Sequence, residues 1–454
     1  MKFKTVNPAT GKAIRNWTTM PDARVKAKVI ESRKAFLEWS NLPVKERASK
    51  IKAVAGVLRK RKKELAGLMT KEMGKPVTEA LAEVEKCAWT CDVFANNAEK
   101  WLADEIVPAD GKSHKVAFEP LGVILSVMPW NFPFWQALRF GIPALTAGNT
   151  TVLRHSNVVP ECALAIESVF REAGLKGCFN SVITDHAQVE KIIAMPEIAA
   201  VSITGSTEAG RKVYETTAKH LKKCVLELGG SDPFIVLEDA DLESACRSAV
   251  KGRNQNSGQS CIAAKRFIVV KSRAKEFAEH FTALTQKLVV GDPSREETQV
   301  GPVADEHQLK VLDGQVRDAL KKGATALCGS KKFKGKGYYY ESTILTDLKP
   351  SMRVWTEEVF GPVALLFSVK DEEEAIRLAN SSEYGLGASV WTKDLAKGER
   401  VARRLEAGCV FVNSIVKSDP RMPFGGLKKS GIGRELSHYG LKEFTNVKSL
   451  NLYQ

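Results

Sequence analysis

From about residue 120 onward, short apolar runs alternate with amphipathic stretches, and this alternation is the feature that most constrains the fold. LGVILSVMPW, TTVLR, IAAVSIT and KKCVLEL predict buried strands, because each is short and apolar and ends near Gly, Pro or charged residues. FWQALRFGIPALTAG, CALAIESVFREAGL and STEAGRKVYETTAKHL have helical spacing. Strands separated by helices predict parallel β-α-β units and therefore an α/β fold.

The strand–helix alternation restarts near residue 228 and predicts a second α/β domain. PFIVL, DLESACRSAVKGR, RFIVV and AKEFAEHFTALTQKL repeat the pattern. Residues 23–105 predict helices instead, because apolar side chains recur at three-and-four spacing between Lys and Arg. The tail TNVKSLNLYQ alternates enough to predict a strand.

Composition and the N-terminal residues exclude several classes of protein. Hydrophobic residues make up 44% and charged residues 27%, which indicates a globular chain rather than a disordered one. No apolar run approaches 20 residues, and MKFKTVNPATGKAIRNW lacks the apolar core of a signal peptide, so we expect no membrane partner. Nine dispersed cysteines without a C-x-x-C pair indicate no metal site and a cytoplasmic location. The net charge of +15 leaves a nucleic-acid partner as an alternative, but the positive charges are scattered and also suit anionic metabolites.

Four short motifs contain side chains that could do chemistry, although each is weak alone. Cys261 in NSGQSC could be a nucleophile if a positive field ionised its thiol, or a small core residue. Glu227 in VLELGG could be a general base or a surface acid. Asn131 in PWNFP could donate a hydrogen bond to an oxyanion, or form a turn. Gly205 and Ser206 in ITGSTEAG could meet a phosphate where a strand leads into a helix.

In the order PWNFP, GSTEAG, ELGG and GQSC, these motifs together resemble the aldehyde dehydrogenase superfamily. EEVFGPV and PFGGLKKSGIGRE resemble two further signatures of that family, and the resemblance spans nearly the whole chain. It implies an aldehyde dehydrogenase-like fold: a Rossmann-type NAD(P)-binding domain over residues 1–227, with an oligomerisation arm at about 107–121, and an α/β catalytic domain over 228–431. The segment 432–454 would carry an oligomerisation strand. Arm and strand are expected to pair across subunits, giving a homodimer or homotetramer.

The resemblance also implies catalytic roles. Cys261 would attack the aldehyde carbon, and the Asn131 amide and the Cys261 backbone N–H would form the oxyanion hole. Hydride would then pass to the nicotinamide, and Glu227 would activate the water that hydrolyses the thioester. Retention of Glu227 favours a free carboxylic acid as product, since relatives that pass the acyl group to coenzyme A usually lack this base.

Cofactor contacts follow from the same resemblance. Ser206 matches a pyrophosphate contact, Glu358 a contact to the nicotinamide ribose, and Phe360 a residue near that ring. The remaining expected cofactor contacts are Trp130, Arg154, Ser156, Asn157, Gly205 and Leu228.

The run Arg154-His155-Ser156-Asn157 departs from the Lys-Pro-Ser-Glu that is common in the family. Asn157 replaces the Glu that repels a 2′-phosphate, Arg154 adds a fork that can bind phosphate, and His155 could assist. We therefore predict NADP as the preferred cofactor, with NAD as the alternative.

The substrate prediction depends on Arg139, eight residues beyond Asn131. Succinate-semialdehyde dehydrogenases tend to place Arg there, where it would grip the far carboxylate of a short semialdehyde. Ser418 would help bind that carboxylate, while Trp135 and Phe424 would line the aliphatic part. The alternative for Arg139 is a structural ion pair.

SDPRMPFGG and LRHSN resemble a shorter bacterial branch of these dehydrogenases, so the predicted reaction is oxidation of succinate semialdehyde to succinate. Another short acidic or aromatic aldehyde, such as glutarate semialdehyde, is the first alternative. A non-catalytic binding protein on this scaffold is a remote one, because only chemistry requires Cys261, Glu227 and Asn131 together.

Overall fold

Two sheets of mainly parallel strands organise the chain, and the computed structural model describes all 454 residues. The elements that precede and build the first sheet are β1 (Lys2–Asn7), β2 (Lys12–Thr18), α1 (Asp22–Trp39), α2 (Val44–Lys60), α3 (Lys62–Met73), α4 (Val77–Trp101), β3 (Glu105–Ile106), β4 (Ser113–Pro120), β5 (Val123–Met128), α5 (Pro133–Thr146), β6 (Thr150–His155), α6 (Pro160–Glu172), β7 (Phe179–Val182), α7 (His186–Ala194), β8 (Ile198–Thr204), α8 (Thr207–Lys219) and β9 (Lys223–Glu227).

The elements of the second half build another sheet and then return to the first. They are β10 (Asp232–Val236), α9 (Leu242–Asn254), a 3-10 turn (Gln255–Gly258), β11 (Ala264–Val270), α10 (Lys271–Gln286), α11 (Glu306–Lys321), β12 (Thr325–Cys328), β13 (Thr343–Thr346), α12 (Arg353–Thr356), β14 (Val363–Val369), α13 (Glu372–Asn380), β15 (Tyr384–Gly385), β16 (Gly387–Trp391), α14 (Leu395–Arg404), β17 (Cys409–Val412), β18 (Leu427–Lys428), β19 (Gly431–Ile432), α15 (Ser437–Glu443) and β20 (Thr445–Leu452).

The first sheet has the strand order β19-β9-β8-β5-β6-β7, and all its neighbours are parallel except β19 with β9. Every residue of β5 is buried, as expected for a strand covered by helices on both faces. β5 lies between β6 and β8, so the loops after β5 and β8 diverge at one edge of the sheet. This is the point where open α/β sheets bind ligands.

The second sheet has the order β12-β13-β14-β11-β10-β16-β17 and is parallel except for β12. All its strands lie within residues 232–412. The predicted α/β class is confirmed, since both halves contain parallel strands joined by helices. The domain limits 1–227, 228–431 and 432–454 stay a prediction.

The predicted arm forms β4, and the predicted C-terminal strand forms β20. These two strands pair with each other, antiparallel, within one chain from Thr445 opposite Pro120 to Leu452 opposite Ser113. The expectation that they pair across subunits is therefore wrong for the β4–β20 contact. β20 is instead an edge strand of the sheet β20-β4-β3, with its outer edge open. None of the helices is both long and apolar enough to span a membrane.

Candidate active site

Asn131 lies in the loop between β5 and α5, which Pro129 and Pro133 bracket. Its side chain is 4% exposed, and its Nδ2 donates a hydrogen bond to the Gln259 carbonyl at 3.1 Å. The Asn131 carbonyl in turn accepts from Nδ2 of Asn256 at 2.7 Å. The amide is thus held against the segment that leads to Cys261.

A buried carboxylate fixes the start of α5. Oε1 of Glu83, on α4, accepts hydrogen bonds from the backbone N–H groups of Phe134 and Trp135, each at 2.9 Å. These are free donors of the first helical turn, and a negative charge there also interacts favourably with the helix dipole. Lys75 forms a fully buried ion pair with Glu83. The entry to α5, directly after Asn131, is therefore rigidly anchored to α4.

His155 holds the same loop from the neighbouring strand β6. Its Nε2 donates to the Pro133 carbonyl at 2.8 Å, while Nδ1 accepts from the Ser156 backbone N–H at 3.0 Å. Burial lowers the pKa of His155 to about 4, so the ring is neutral at physiological pH. The expectation that His155 could assist in binding a phosphate is contradicted, because both ring nitrogens are engaged with backbone.

The segment before Cys261 adopts an unusual backbone. Asn256 and Ser257 have positive φ values of 52° and 54°. The Asn256 N–H donates to Oε2 of Glu79 at 2.7 Å, and its side chain also donates to the Gln259 carbonyl at 3.0 Å. Non-glycine residues with positive φ cost energy and persist where surrounding contacts stabilise them. Here those contacts place Cys261 opposite Asn131.

Lys265, on β11, supports Cys261 from behind. Its ammonium is fully buried and donates to the Ser260 and Cys261 carbonyls at 3.0 and 2.8 Å. Lys265 also forms an ion pair with Glu358 at 3.2 Å. The Ser260 carbonyl shares a peptide plane with the Cys261 backbone N–H, so the bond from Lys265 to this carbonyl also fixes the direction of that N–H.

The Cys261 thiol is half-buried and lines a cavity. Burial raises its pKa to about 12, although the positive charges of Arg139 and Lys265 act in the opposite direction. A thiol with such a pKa is protonated at neutral pH and reacts only after it loses its proton. Six of the other cysteines are buried, which suits packing rather than chemistry.

Glu227 ends β9 and is 2% exposed. Neither of its carboxylate oxygens has a hydrogen-bond partner, and burial, together with the charge of Glu435, raises its pKa well above the usual range. A Cβ atom on Gly425 would come within 2.7 Å of Oε1, so glycine leaves room for this carboxylate. Leu228, the next residue, lines the cavity that contains Cys261.

Arg139 does not take the position that the sequence predicted. It is 2% exposed, forms a buried ion pair with Glu435 and donates to Oγ1 of Thr204 at 3.3 Å. Its guanidinium lies 4.5 Å from the centroid of the Phe424 ring. The alternative of a structural ion pair is therefore the one the geometry favours, because the guanidinium is already neutralised inside the core. The Phe424 ring therefore packs against the Arg139 guanidinium.

The cavity beside Cys261 has a volume of about 200 Å³ and brings most predicted catalytic and nicotinamide residues together. The Trp130 and Phe360 rings meet edge to face at 5.7 Å, and Oε1 of Glu358 accepts from the Gly230 N–H at 3.2 Å. The lining residues are Pro129, Trp130, Asn131, Gln136, Thr204, Gly205, Ser206, Leu228, Gly229, Cys261, Gln308, Glu358 and Phe360.

A second cavity of about 440 Å³ adjoins the first and shares Pro129, Trp130, Thr204, Gly205 and Ser206 with it. Ser206 caps α8, since its Oγ accepts from the Ala209 N–H at 3.2 Å, so the positive end of this helix faces the cavity.

Charged side chains of both signs line the far part of this second cavity, including the carboxylates of Glu190 and Glu208. Arg154 and Ser156 belong to its wall, and so do His186 and Lys212, which the sequence analysis missed. Nε of Arg154 is buried without a hydrogen-bond partner, so the guanidinium has an unused donor for an anionic group. Asn157 does not line the cavity. The residues present fit a dinucleotide whose adenosine end carries extra negative charge.

Trp135 and Lys86 line a third cavity of about 350 Å³ on α4, whereas Ser418 is not among its lining residues. Lys86 donates to Oγ of Ser418 at 2.7 Å, and its ammonium lies 4.0 Å from the centroid of the Trp135 ring. The sequence analysis missed Lys86, and its signal was a lone Lys within the apolar helical pattern of EVEKCAW. It also missed Lys265, which is followed by Arg266 in the buried strand AKRFIVV. No cluster of three or more His, Cys, Asp or Glu side chains is placed to hold a metal ion.

Comparisons with known proteins agree with this geometry. The model of the aldehyde dehydrogenase family matches residues 1–450. A protein of Synechocystis named as a probable NADP(+) succinate-semialdehyde dehydrogenase is 47% identical over 99% of both chains. A succinate-semialdehyde dehydrogenase (NADP(+)) of Deinococcus radiodurans is 42% identical, over 99% of this chain and 95% of its own.

Solved structures are similar over the full length of the chain. The crystal structure of succinic semialdehyde dehydrogenase from Streptococcus pyogenes in complex with NADP+ superimposes with a TM-score of 0.97, at 34% identity and with complete coverage of both chains. The structure of Gox0499 gives a TM-score of 0.98 at 37% identity, again with both chains fully covered.

Proposed function

Because this chain belongs to the aldehyde dehydrogenase family, we propose that it oxidises succinate semialdehyde to succinate with NADP+ as hydride acceptor. The observation that carries the proposal is the cavity lined by the half-buried Cys261 thiol, the Asn131 amide and Glu358. It adjoins the larger cavity, which has room for part of a dinucleotide. The relatives named for this reaction support the choice of substrate and cofactor.

In this mechanism Cys261 is the nucleophile. Its thiol must lose its proton before attack, and the thiolate then adds to the aldehyde carbon. Nδ2 of Asn131 and the Cys261 backbone N–H donate to the oxygen that becomes negative. NADP+ supplies the acceptor for the hydride that leaves the thiohemiacetal carbon. Glu227, with its unpartnered carboxylate, removes a proton from the water that hydrolyses the thioester.

The cofactor preference rests on Arg154 and Ser156. Both line the far cavity, and the unused donor of Arg154 suits the 2′-phosphate. Trp130, Gly205, Ser206, Leu228, Glu358 and Phe360 would hold the rest of the dinucleotide. The role of Asn157 stays a prediction: it is expected to favour NADP only because it lacks the carboxylate that would repel the 2′-phosphate.

For the substrate, Trp135 and Ser418 remain the proposed contacts to the aliphatic part and to the carboxylate. Arg139 is no longer proposed as a direct contact, because Glu435 neutralises it. We further propose that the protein is a homodimer or homotetramer, supported by the open edge of β20.

The test is a set of initial rates with purified protein. Succinate semialdehyde, glutarate semialdehyde, propanal and benzaldehyde are each oxidised with NADP+ and with NAD+. We expect the highest kcat/KM with succinate semialdehyde and NADP+. The Cys261→Ala variant should show no turnover, which controls for a contaminating dehydrogenase. Equal kcat/KM with propanal would refute the substrate, and a higher value with NAD+ would refute the cofactor preference.

A further inference from the structure

Helix α4 carries two acidic side chains, one turn apart, that each contact a different segment of the candidate active site. Glu79 and Glu83 are four residues apart and therefore lie on one face of the helix. Oε1 of Glu83 accepts from the first N–H groups of α5 and so holds the loop that carries Asn131. Oε2 of Glu79 accepts from the Asn256 backbone N–H at 2.7 Å and so holds the turn that leads to Cys261. One helix face thus binds the segments of the proposed oxyanion donor and of the proposed nucleophile.

The turn that Glu79 contacts has a backbone that depends on outside support. Asn256 and Ser257 have φ values of 52° and 54°, in the region that side chains with a Cβ atom rarely adopt. Such conformations persist where the surrounding contacts determine them. Asn256 is fully buried, and its N–H donates to a charged acceptor, which gives a stronger hydrogen bond than a neutral one. The carboxylate of Glu79 therefore stabilises the unusual backbone of this turn.

Glu79 is itself held by a neighbouring loop. The N–H of Val77, the first residue of α4, donates to the Pro293 carbonyl at 2.8 Å. In the same loop, the Gly301 N–H donates to Oγ of Ser257 at 2.9 Å. The start of α4, this loop and the turn therefore form one connected unit, and the carboxylate cannot move away without breaking backbone contacts.

The charges around Glu79 keep it an acceptor at mildly alkaline pH. Burial raises the pKa of Glu79 to about 7, while the positive charges of Lys75 and Lys251 act in the opposite direction. The charge of Glu83 adds to the rise, but Lys75 forms an ion pair with Glu83. At pH 8 Glu79 is therefore mainly a carboxylate.

We propose that Glu79 is a positioning residue: together with Glu83 it sets the nucleophilic thiol opposite the Asn131 amide. The helix fixes the distance between its two carboxylates, and so it fixes two segments that belong to different sheets. Asn131 follows β5 of the first sheet, whereas the turn precedes β11 of the second. Geometry that is set in advance lowers the entropic cost of the attack on the aldehyde carbon. The inference rests on the proposed aldehyde oxidation, in which Cys261 and Asn131 act on the aldehyde group.

Glu79→Met and Glu79→Gln form the test, because both fill similar space and only glutamine keeps an oxygen that can accept from the Asn256 N–H. Stopped-flow absorbance at pH 8, with NADP+ and either succinate semialdehyde or propanal, gives the rate constant of the first NADPH burst. We expect Glu79→Met to slow the burst at least about tenfold with both aldehydes and Glu79→Gln to stay within about threefold of the wild type, since small displacements of reacting groups cost up to about 100-fold. KM for NADP+ should change less than about twofold, because Glu79 does not line the larger cavity.

Glu99→Met, at an exposed position on the same helix, is the control for loss of one negative charge. A role in stability alone would lower the amplitude of the burst, which reports the number of folded sites, and would leave its rate constant unchanged. An unchanged rate constant in Glu79→Met overturns the inference, and so does equal slowing in Glu79→Gln. If Glu79→Met does not fold, Glu79→Asp, whose carboxylate is one methylene group shorter, replaces it and is judged by the same two outcomes.

Hydrogen–deuterium exchange separates this inference from the proposed function, because it requires no turnover. We expect the segment 254–261 to exchange faster in Glu79→Met than in the wild type, and at the wild-type rate in Glu79→Gln. If the wild type oxidises neither aldehyde, the proposed function is wrong, yet this exchange pattern would still establish that Glu79 holds the turn. Unchanged exchange in Glu79→Met would refute that role.

Discussion

At the scale of single residues, burial shifts the pKa of both predicted catalytic groups in the direction that disfavours their charged forms. It raises the pKa of the Cys261 thiol to about 12 and that of Glu227 well above the usual range. Arg139 opposes both shifts through its positive charge. Both shifts disfavour the charged forms of these groups, the thiolate and the carboxylate.

Glu227→Gln tests the role of the buried carboxylate. A glutamine cannot take a proton from water, so the thioester should form normally and then persist. We expect a burst of NADPH of about one equivalent per site, followed by a steady-state rate at least about 100-fold lower than that of the wild type. Stopped-flow absorbance measures both phases. An unchanged steady-state rate would show that another group activates the water.

At the scale of elements, three neighbours hold the loop between β5 and α5. Glu83 on α4 caps α5, His155 on β6 binds the Pro133 carbonyl, and Gln259 accepts from Asn131. A loop fixed by separate elements keeps Asn131, the proposed oxyanion donor, in place without substrate, which would lower the cost of reorganisation during the proposed reaction.

His155→Leu tests the contribution of the neutral ring to stability. At pH 8 the variant should be less stable by about 1–3 kcal/mol, because the buried Pro133 carbonyl loses its donor. The pKa of His155 is about 4 in the folded protein, below the ordinary 6.5, so as the pH falls from 6.5 to 4 the unfolded chain takes up the proton first. The wild type should therefore lose up to about 3 kcal/mol over this range, and the difference between the two proteins should narrow.

Urea unfolding at a series of pH values measures this difference. Burial raises the pKa of Glu72 and of Glu79 to about 7, and these groups act in the opposite direction. They are present in both proteins and cancel in the comparison. A difference that stays constant from pH 8 to pH 4 would contradict the assignment of His155 as the buried neutral group.

At the scale of the whole molecule, the C-terminal strand β20 leaves one edge open. Val447 and Leu452 on this strand are 63% and 51% exposed, and Ile106 on β3 of the same sheet is 73% exposed. An open edge that carries apolar side chains favours pairing with another chain.

Deletion of residues 445–454 tests this edge. We expect the wild type to have the mass of a dimer or tetramer and the deletion variant to have a smaller one, because the deletion removes the edge strand β20 together with its exposed apolar side chains. Light scattering coupled to size-exclusion chromatography measures the mass. Deletion of Tyr453 and Gln454 alone, beyond the end of β20, is the control. An identical mass for both deletions and the wild type would exclude this strand from the interface.

The sequence by itself determined the fold class and the local position of the catalytic groups. Apolar runs and amphipathic stretches are local patterns, and they placed β5, β8 and β9, with Asn131 and Ser206 in the loops after β5 and β8 and Glu227 at the end of β9. The order of the motifs then indicated the family, which the match over residues 1–450 confirmed.

Only the tertiary structure decided which charges neutralise one another. Arg139 and Glu435 are far apart in the sequence, yet they form a buried pair, and Lys86 meets Ser418 from an equally distant segment. The strands β4 and β20 are likewise far apart in the sequence and pair only in the folded chain. Local periodicity carries no information about contacts between distant segments, because these depend on how the helices and sheets pack. The partner of a buried charge, and hence its role, therefore becomes visible only in the folded chain.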